Sequence, residues 1–80
     1  MDKTLLSFGE VISQLRRNAG LSQEALADRA GVHRTYISQL ERGLKSPTLA
    51  VLMKLAVALE VRASKILMLL ERSLNEIPNP

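Results

Sequence analysis

The chain of 80 residues contains no cysteine and no tryptophan, and it has one tyrosine and one phenylalanine. The absence of cysteine excludes a disulfide framework, a cysteine-ligated zinc site and thiol catalysis. Because aromatic residues are so few, any core must be built from Leu, Ile, Val and Ala. No uninterrupted apolar run, such as Ile66 to Leu70, exceeds five residues, whereas a membrane-spanning helix needs about 20.

The overall composition favours one small folded domain. Apolar residues make up 46% of the chain, which is enough to form a core, and the length corresponds to a single domain over residues 1–80. The sequence lacks the pattern of a signal peptide, in which a positively charged segment is followed by an apolar stretch and a cleavage site. We therefore expect a cytoplasmic protein that does not bind a membrane. A chain this short has a thin margin of stability, for which oligomerisation is a common remedy.

Positive charge is concentrated in the middle of the chain. The net charge is +3 and the isoelectric point is about 9.8. Residues 29–54 carry five basic side chains against the single acid Glu41, a balance of +4, whereas the rest of the chain has a balance of −1. This distribution indicates a polyanionic partner such as nucleic acid. Chance clustering on a solvated surface is the alternative, and charge alone does not decide between the two.

Helical periodicity runs through the chain, and strand signals are absent from the sequence. A first helix is predicted to end near Gly20. Ser22 is predicted to cap a second helix, about Gln23 to Ala30, which stops at Gly31. The predicted inner face of the first helix consists of Phe8, Val11, Ile12, Leu15 and Ala19.

The second half of the chain predicts three more helices. A third helix, about His33 to Arg42, stops at Gly43, and either Ser46 or Thr48 caps a fourth helix. The predicted inner stripe of the fourth helix consists of Leu49, Leu52, Leu55, Ala56 and Leu59. The pattern therefore predicts an all-α, five-helix domain.

A fifth helix is predicted over about Ala63 to Asn75. We expect the compact core of the domain to cover about residues 8–75, with frayed termini that include Pro78 to Pro80. The stripe predicted to dock on the core consists of Ile66, Leu67, Leu70, Leu74 and Ile77.

The second and third helices have the outline of a helix-turn-helix. At about 100° per residue, Ile37 and Leu40 lie on one side of the third helix and polar residues lie on the other. Arg suits guanine, Gln suits adenine, and Ser and Thr are adaptable donors. An ordinary solvated face is the alternative, although Glu and Lys would be commoner there. The polar outward residues are Arg34, Thr35, Ser38, Gln39 and Arg42.

Three segments carry a resemblance to a known family. Leu21–Ala27, Gly31–Val32 and Tyr36–Gly43 resemble the helix-turn-helix domain of the phage-repressor/Cro (XRE) type, and residues 47–61 resemble its fourth helix and following turn. The resemblance implies the lambda-repressor-like fold. It also implies a transcriptional regulator that binds double-stranded DNA as a dimer on an inverted repeat, with the third helix in the major groove.

Within that family, two segments narrow the resemblance. Arg34–Ser38 and Glu41–Gly43 are most similar to the controller proteins of restriction–modification systems, which are small, single-domain dimeric regulators. The alternative is an antitoxin or an adaptor-type protein-interaction module, because the same fold serves both.

The resemblance also implies a role for individual residues. Those that would contact bases are Arg34, Thr35, Ser38 and Gln39. Those that would contact phosphates are Gln23, through its side chain or backbone N–H, and Arg42, Lys45 and Arg17. Tyr36 lies off the base-contacting face of the third helix, at about 100° per residue, so a phosphate or sugar contact is expected for it. Arg16 and Glu41 would form an ion pair between the first and third helices; the alternative for Arg16 is a contact with DNA. His33 stands where family members often have a capping Ser or Thr, so the start of the third helix departs from the pattern.

The fifth helix is the predicted dimer interface. Met68 and Leu69 fall outside the stripe predicted to dock on the core, and few residues remain to cover them. We expect Leu69, Leu70 and Leu74 near the two-fold axis, with Met68 at its edge. Two scattered exposed apolar residues are the alternative, since such residues are common.

Nothing in the sequence indicates an enzyme. His33 is the only imidazole, and neither a nucleophile motif nor metal-ligand spacing accompanies it. The four glycines are interpreted as marking helix ends, so no phosphate-binding loop is predicted. We therefore expect no catalytic residue, metal, cofactor or small-molecule ligand. The expected partners are double-stranded DNA, a second copy of the chain and, for a regulator, RNA polymerase.

Overall fold

The computed structural model describes residues 2–75 of the chain. These residues form helices and no strand, which confirms the predicted all-α class. None of the described helices is both long and apolar enough to span a lipid bilayer. The five helices are α1 (Lys3–Asn18), α2 (Gln23–Ala30), α3 (Arg34–Glu41), α4 (Leu49–Leu59) and α5 (Ala63–Leu74).

α1 begins before Phe8, the first residue of its predicted inner face. The carboxylate of Asp2 accepts hydrogen bonds from the backbone N–H groups of Thr4 and Leu5, at 2.8 and 3.2 Å. Because these bonds satisfy N–H groups that have no partner within the helix, residues 3–7 are helical. The helix therefore starts five residues before Phe8, where the core is predicted to begin. Ala19, predicted on the inner face, is the exposed C-cap beyond the last helical residue.

α2 and α4 begin at side-chain caps. Ser22 Oγ accepts from the N–H of Ala25 at 3.0 Å, as the sequence predicts. Thr48, rather than Ser46, caps α4, since its Oγ1 accepts from the N–H of Val51 at 3.1 Å. α2 stops at Gly31, whose φ of 68° lies in the left-handed region, where a residue without Cβ is favoured. The turn between α2 and α3 depends on this glycine.

α3 spans Arg34–Glu41, so the prediction is right to within one residue at each end. His33 occupies the N-cap position, but its side chain makes no capping hydrogen bond. Ile37 and Leu40 are 0% exposed, which confirms that this side of the helix faces the core. α3 packs against both α1 and α2.

The core lies where the helices meet, with α1 packed on α3 and α5, and α2 packed on α3 and α4. The buried side chains are apolar and contain one aromatic ring. They are Phe8, Ile12, Leu26, Ala27, Ala30, Ile37, Leu40, Leu52, Leu55, Ala56, Ala58, Leu59 and Ile66.

The inner face of α4 is rotated from the predicted one. Leu49 was expected to be inside and is 75% exposed. With Leu52 as the reference and about 100° per residue, Ala58 lies on one flank of the buried arc and Leu49 on the other. Since Ala58 is buried, the buried face of α4 is rotated toward Ala58 and away from Leu49. Leu49, Met53 and Val57 thus form an exposed apolar stripe.

α5 shows the same kind of rotation. Leu67 was expected to dock on the core and is 43% exposed, whereas Leu69 was expected outside and is half-buried. Ile66, the only fully buried residue described on α5, sets the centre of the inner face, and Leu69 lies closer to that centre than Leu67 does. Ile77 and Pro78 to Pro80, to which the sequence assigned positions, lie outside the described residues.

Candidate nucleic-acid interface

Helix α3 is held against α1 by a contact between backbones. Gly9 is buried, and a Cβ built on it would lie 2.5 Å from the carbonyl oxygens of both Leu40 and Glu41. Real Cβ atoms essentially never come that close, so only glycine permits this approach. The interpretation that every glycine marks a helix end is wrong here, because Gly9 lies inside α1. A glycine inside a helical pattern is the signal that could have found this contact.

The side chains of Arg16 and Glu41 join the same two elements. Arg16 Nε donates to Glu41 Oε2 at 2.6 Å, and Arg16 Nη2 donates to Glu41 Oε1 at 3.0 Å. The two side chains are 12% and 6% exposed. The hydrogen bond to Glu41 raises the pKa of Arg16 above its ordinary value, against the opposing effect of burial. This paired, bidentate geometry is among the stronger kinds of hydrogen bond.

The start of α2 is connected to this ion pair. Arg16 Nη1 donates to the backbone carbonyl of Leu21 at 2.9 Å, and Gln23 Nε2 donates to Glu41 Oε1 at 3.0 Å. α1, the start of α2 and the end of α3 therefore meet in one hydrogen-bonded cluster. Sequence reasoning missed both of these bonds. The bond to Leu21 depends on the turn after α1, and the bond between Gln23 and Glu41 depends on how α2 and α3 pack.

The residues predicted to contact bases lie on the side of α3 that faces away from Ile37 and Leu40. Arg34 and Thr35 are exposed, while Ser38 and Gln39 are half-buried. Tyr36 is half-buried and packs against the core, so most of its ring serves the fold. Only its remaining exposed part is available for the predicted phosphate contact.

The predicted phosphate-binding residues flank this face. Arg42 and Lys45 are exposed just beyond the end of α3, and Arg17 is exposed in the last turn of α1. Gln23 and Arg34, predicted for phosphate and base respectively, line one open cleft between the starts of α2 and α3. The structure thus brings these two predicted contacts to one surface.

The cleft is not uniformly positive. Glu24 and Asp28 of α2 line it together with Arg16 and Arg34. Carboxylates repel phosphate, so a phosphate contact within this cleft would depend on donors such as Gln23 and Arg34.

The predicted dimer residues on α5 differ in exposure. Met68 is 48% exposed, and Leu69, Leu70 and Leu74 are half-buried. Leu70 packs against the core of its own chain, and Leu69 lines a groove between α5 and α1. Leu69 and Leu70 therefore combine a contact within the chain with an exposed part.

Comparison with known proteins identifies the class. The helix-turn-helix family profile HTH_3 matches residues 12–66. The chain belongs to this helix-turn-helix family, of the XRE type, and its five helices have the lambda-repressor-like arrangement. The predicted fold and the predicted family resemblance are both confirmed.

Restriction–modification controllers are among the similar proteins. The control protein C.BamHI of Bacillus amyloliquefaciens is 40% identical over 63 residues, which cover 78% of this chain and 78% of that protein. The crystal structure of the restriction–modification controller protein C.AhdI from Aeromonas hydrophila superposes with a TM-score of 0.76 at 39% identity, covering 78% of this chain and 94% of that one. These similarities agree with the narrower resemblance predicted from the sequence.

Another relative is longer than this chain. An uncharacterized HTH-type transcriptional regulator of Mycobacterium tuberculosis is 46% identical over 55 residues, which cover 69% of this chain. The chain spans 39% of the length of that relative.

Proposed function

We propose that the protein is a transcriptional regulator of the controller type, which binds a specific sequence of double-stranded DNA as a dimer on an inverted repeat. The observation that carries the proposal is the exposed polar side of α3, held from behind by α1. Arg34 and Thr35 project from the first turn of α3, the part that reaches base edges in this motif. The similarity to the control protein C.BamHI and to the restriction–modification controller protein C.AhdI supports the controller role. A cytoplasmic location and a contact with RNA polymerase remain predictions.

Selection of bound duplexes from a random DNA pool, followed by sequencing, tests this proposal. We expect enrichment of one inverted repeat whose half-sites are centred about one helical turn, ~34 Å, apart. Binding should weaken steeply with salt, since phosphate contacts release counterions. A pool that stays random after several rounds would contradict sequence-specific binding.

A protein-interaction module is the second candidate, and one observation favours it. The stripe of Leu49, Met53 and Val57 on α4 exposes large apolar side chains, and such patches can mark protein contacts. The same selection separates the candidates, because a module that binds only protein enriches no duplex.

Arg34 provides the test of base recognition. We expect Arg34→Ala to weaken binding to the selected site by ~1–3 kcal/mol, because a bidentate contact to guanine discriminates by about that amount. Repeating the selection with the variant should show relaxed preference at one base pair in each half-site. Equal weakening on selected and random duplexes would show instead that Arg34 contacts only phosphate.

Lys45 provides the comparison for Arg34, because its predicted contact is with a phosphate and carries no sequence information. We expect Lys45→Ala to weaken binding about equally on all duplexes, and to lower the slope of log affinity against log salt by about one. Affinity titrations at several salt concentrations measure this slope. A slope equal to that of the wild type would exclude Lys45 from the interface.

Helix α5 provides the test of dimerisation. We expect Leu69→Glu to give a folded monomer, because a two-fold interface would bring two buried carboxylates together. Sedimentation measures the mass of the variant, and circular dichroism measures its helical content. Met68→Glu repeats the test at a more exposed position. Val57→Glu, on α4, is the matched control and should leave the dimer intact. A monomeric wild type at tens of micromolar, or an intact dimer in both α5 variants, would exclude α5 as the interface.

A further inference from the structure

The carboxylate of Glu41 accepts a hydrogen bond from Gln23 in addition to the two from its ion-pair partner Arg16. It accepts from Arg16 Nε at 2.6 Å, from Arg16 Nη2 at 3.0 Å and from Gln23 Nε2 at 3.0 Å. Gln23 is the first residue of α2 and lines the same open cleft as Arg34. A largely buried carboxylate on α3 therefore holds a side chain that faces the proposed DNA surface.

This bond fixes which way the amide of Gln23 is turned. A carboxylate can only accept hydrogen bonds, so it must bind the NH₂ group and not the carbonyl oxygen of the amide. One N–H of Nε2 is used by Glu41, and the other remains free to donate. A phosphate also accepts only, so this second N–H is the part of the side chain that suits it.

We infer that Glu41 is a positioning residue for DNA binding, acting through Gln23, whose remaining amide N–H it presents to a phosphate. The inference rests on the proposed function, because it concerns one contact of the same surface. A glutamine that is held before binding loses less conformational freedom on binding than a free one. Glu41 thus affects DNA affinity without touching DNA. Because it lies at the end of α3, it also fixes the position of this phosphate contact relative to α3.

A double-mutant cycle tests the coupling. Glu41→Asp keeps the charge that balances Arg16 but draws the carboxylate back by one methylene, and Gln23→Ala removes the amide. We expect each single variant to weaken binding to the selected duplex about tenfold, the size of one hydrogen bond to a charged group. The double variant should be no weaker than Gln23→Ala alone. Additive losses, about a hundredfold in the double variant, would overturn the inference.

Two further variants separate positioning from general stability. Glu10→Asp makes the same change at an exposed position of α1 and should leave affinity unchanged. Gln23→Asn leaves the pair of Arg16 and Glu41 intact, so it keeps the test valid if Glu41→Asp unfolds. Its amide is too short to reach both Glu41 and a phosphate, and we expect it to bind as weakly as Gln23→Ala. Wild-type affinity in Gln23→Asn would overturn the inference.

Single methylphosphonate substitutions along the selected duplex remove the charge of one phosphate at a time. The affinity of each substituted duplex shows which phosphate Gln23 contacts, and a purely structural role of Glu41 would not change that pattern. We expect one phosphate in each half-site where the substitution weakens the wild type but not Gln23→Ala. Glu41→Asp should be insensitive at that same phosphate. Full sensitivity in Glu41→Asp, or no phosphate that distinguishes Gln23→Ala, would overturn the inference while leaving duplex selection to support the proposed function. Failure of the selection itself would count against the proposed function.

Discussion

Arg16→Ala is expected to destabilise the protein by ~3–5 kcal/mol, because it leaves the carboxylate of Glu41, 6% exposed, without its charged partner. The variant also removes the donor to the carbonyl of Leu21. For a domain of this size, each kcal/mol lowers the melting temperature by about 4–8 °C. Thermal or urea unfolding, followed by circular dichroism, measures the loss.

Arg17→Ala is the matched control for this prediction. Arg17 is the next residue of α1 and is exposed, so the same substitution there should change stability by less than about 0.5 kcal/mol. Similar melting temperatures for the two variants would show that the ion pair contributes little.

Gly9→Ala is the second substitution with a large expected effect. Replacing glycine by alanine inside a helix ordinarily stabilises by roughly 0.5–1 kcal/mol. Here the new Cβ would lie 2.5 Å from two backbone oxygens at the end of α3, and backbone atoms cannot move aside as a flexible side chain can. We expect a loss of about 3 kcal/mol, the upper range for overpacking.

Unfolding by urea measures this loss, with Glu10→Ala as the neighbouring control. Glu10 is exposed on the same helix, so its replacement should be close to neutral. We also expect Gly9→Ala to weaken binding to the selected duplex, since α3 must move away from α1. A variant as stable as the wild type would show that α1 and α3 do not rely on the close approach at Gly9.

The parts of this structure that depend on neighbouring residues in the sequence were predictable. The bounds of α2 follow from the Ser22 cap and from Gly31, and the end of α3 follows from Gly43; each of these signals acts over three or four residues. The orientation of α3 follows from its periodicity, because Ile37 and Leu40 leave a single side for the core. The family resemblance, rather than spacing, supplied the pair of Arg16 and Glu41.

The features that depend on how the helices pack against one another could not be predicted from the sequence. Leu49, Leu67 and Leu69 are apolar residues near the edge of an inner face, and the position of that edge is set by the packing of neighbouring helices. The bond between Gln23 and Glu41 joins residues 18 positions apart and exists only once α2 and α3 are packed. Asp2 gave a local capping signal for α1, but the prediction began the inner face at Phe8 and left out Leu5 and Leu6.

The division of α3 into a buried side and an exposed side has an evolutionary consequence. Arg34 and Thr35 are exposed, and the contacts that anchor the helix run through Gly9, Ile37 and Leu40. Under the proposed function, in which Arg34 and Thr35 contact bases, mutations at these two positions change the preferred operator while the scaffold keeps its stability. A duplicated gene with this fold could acquire a new target through a few substitutions, each tolerated on its own, and its protein would stay folded throughout.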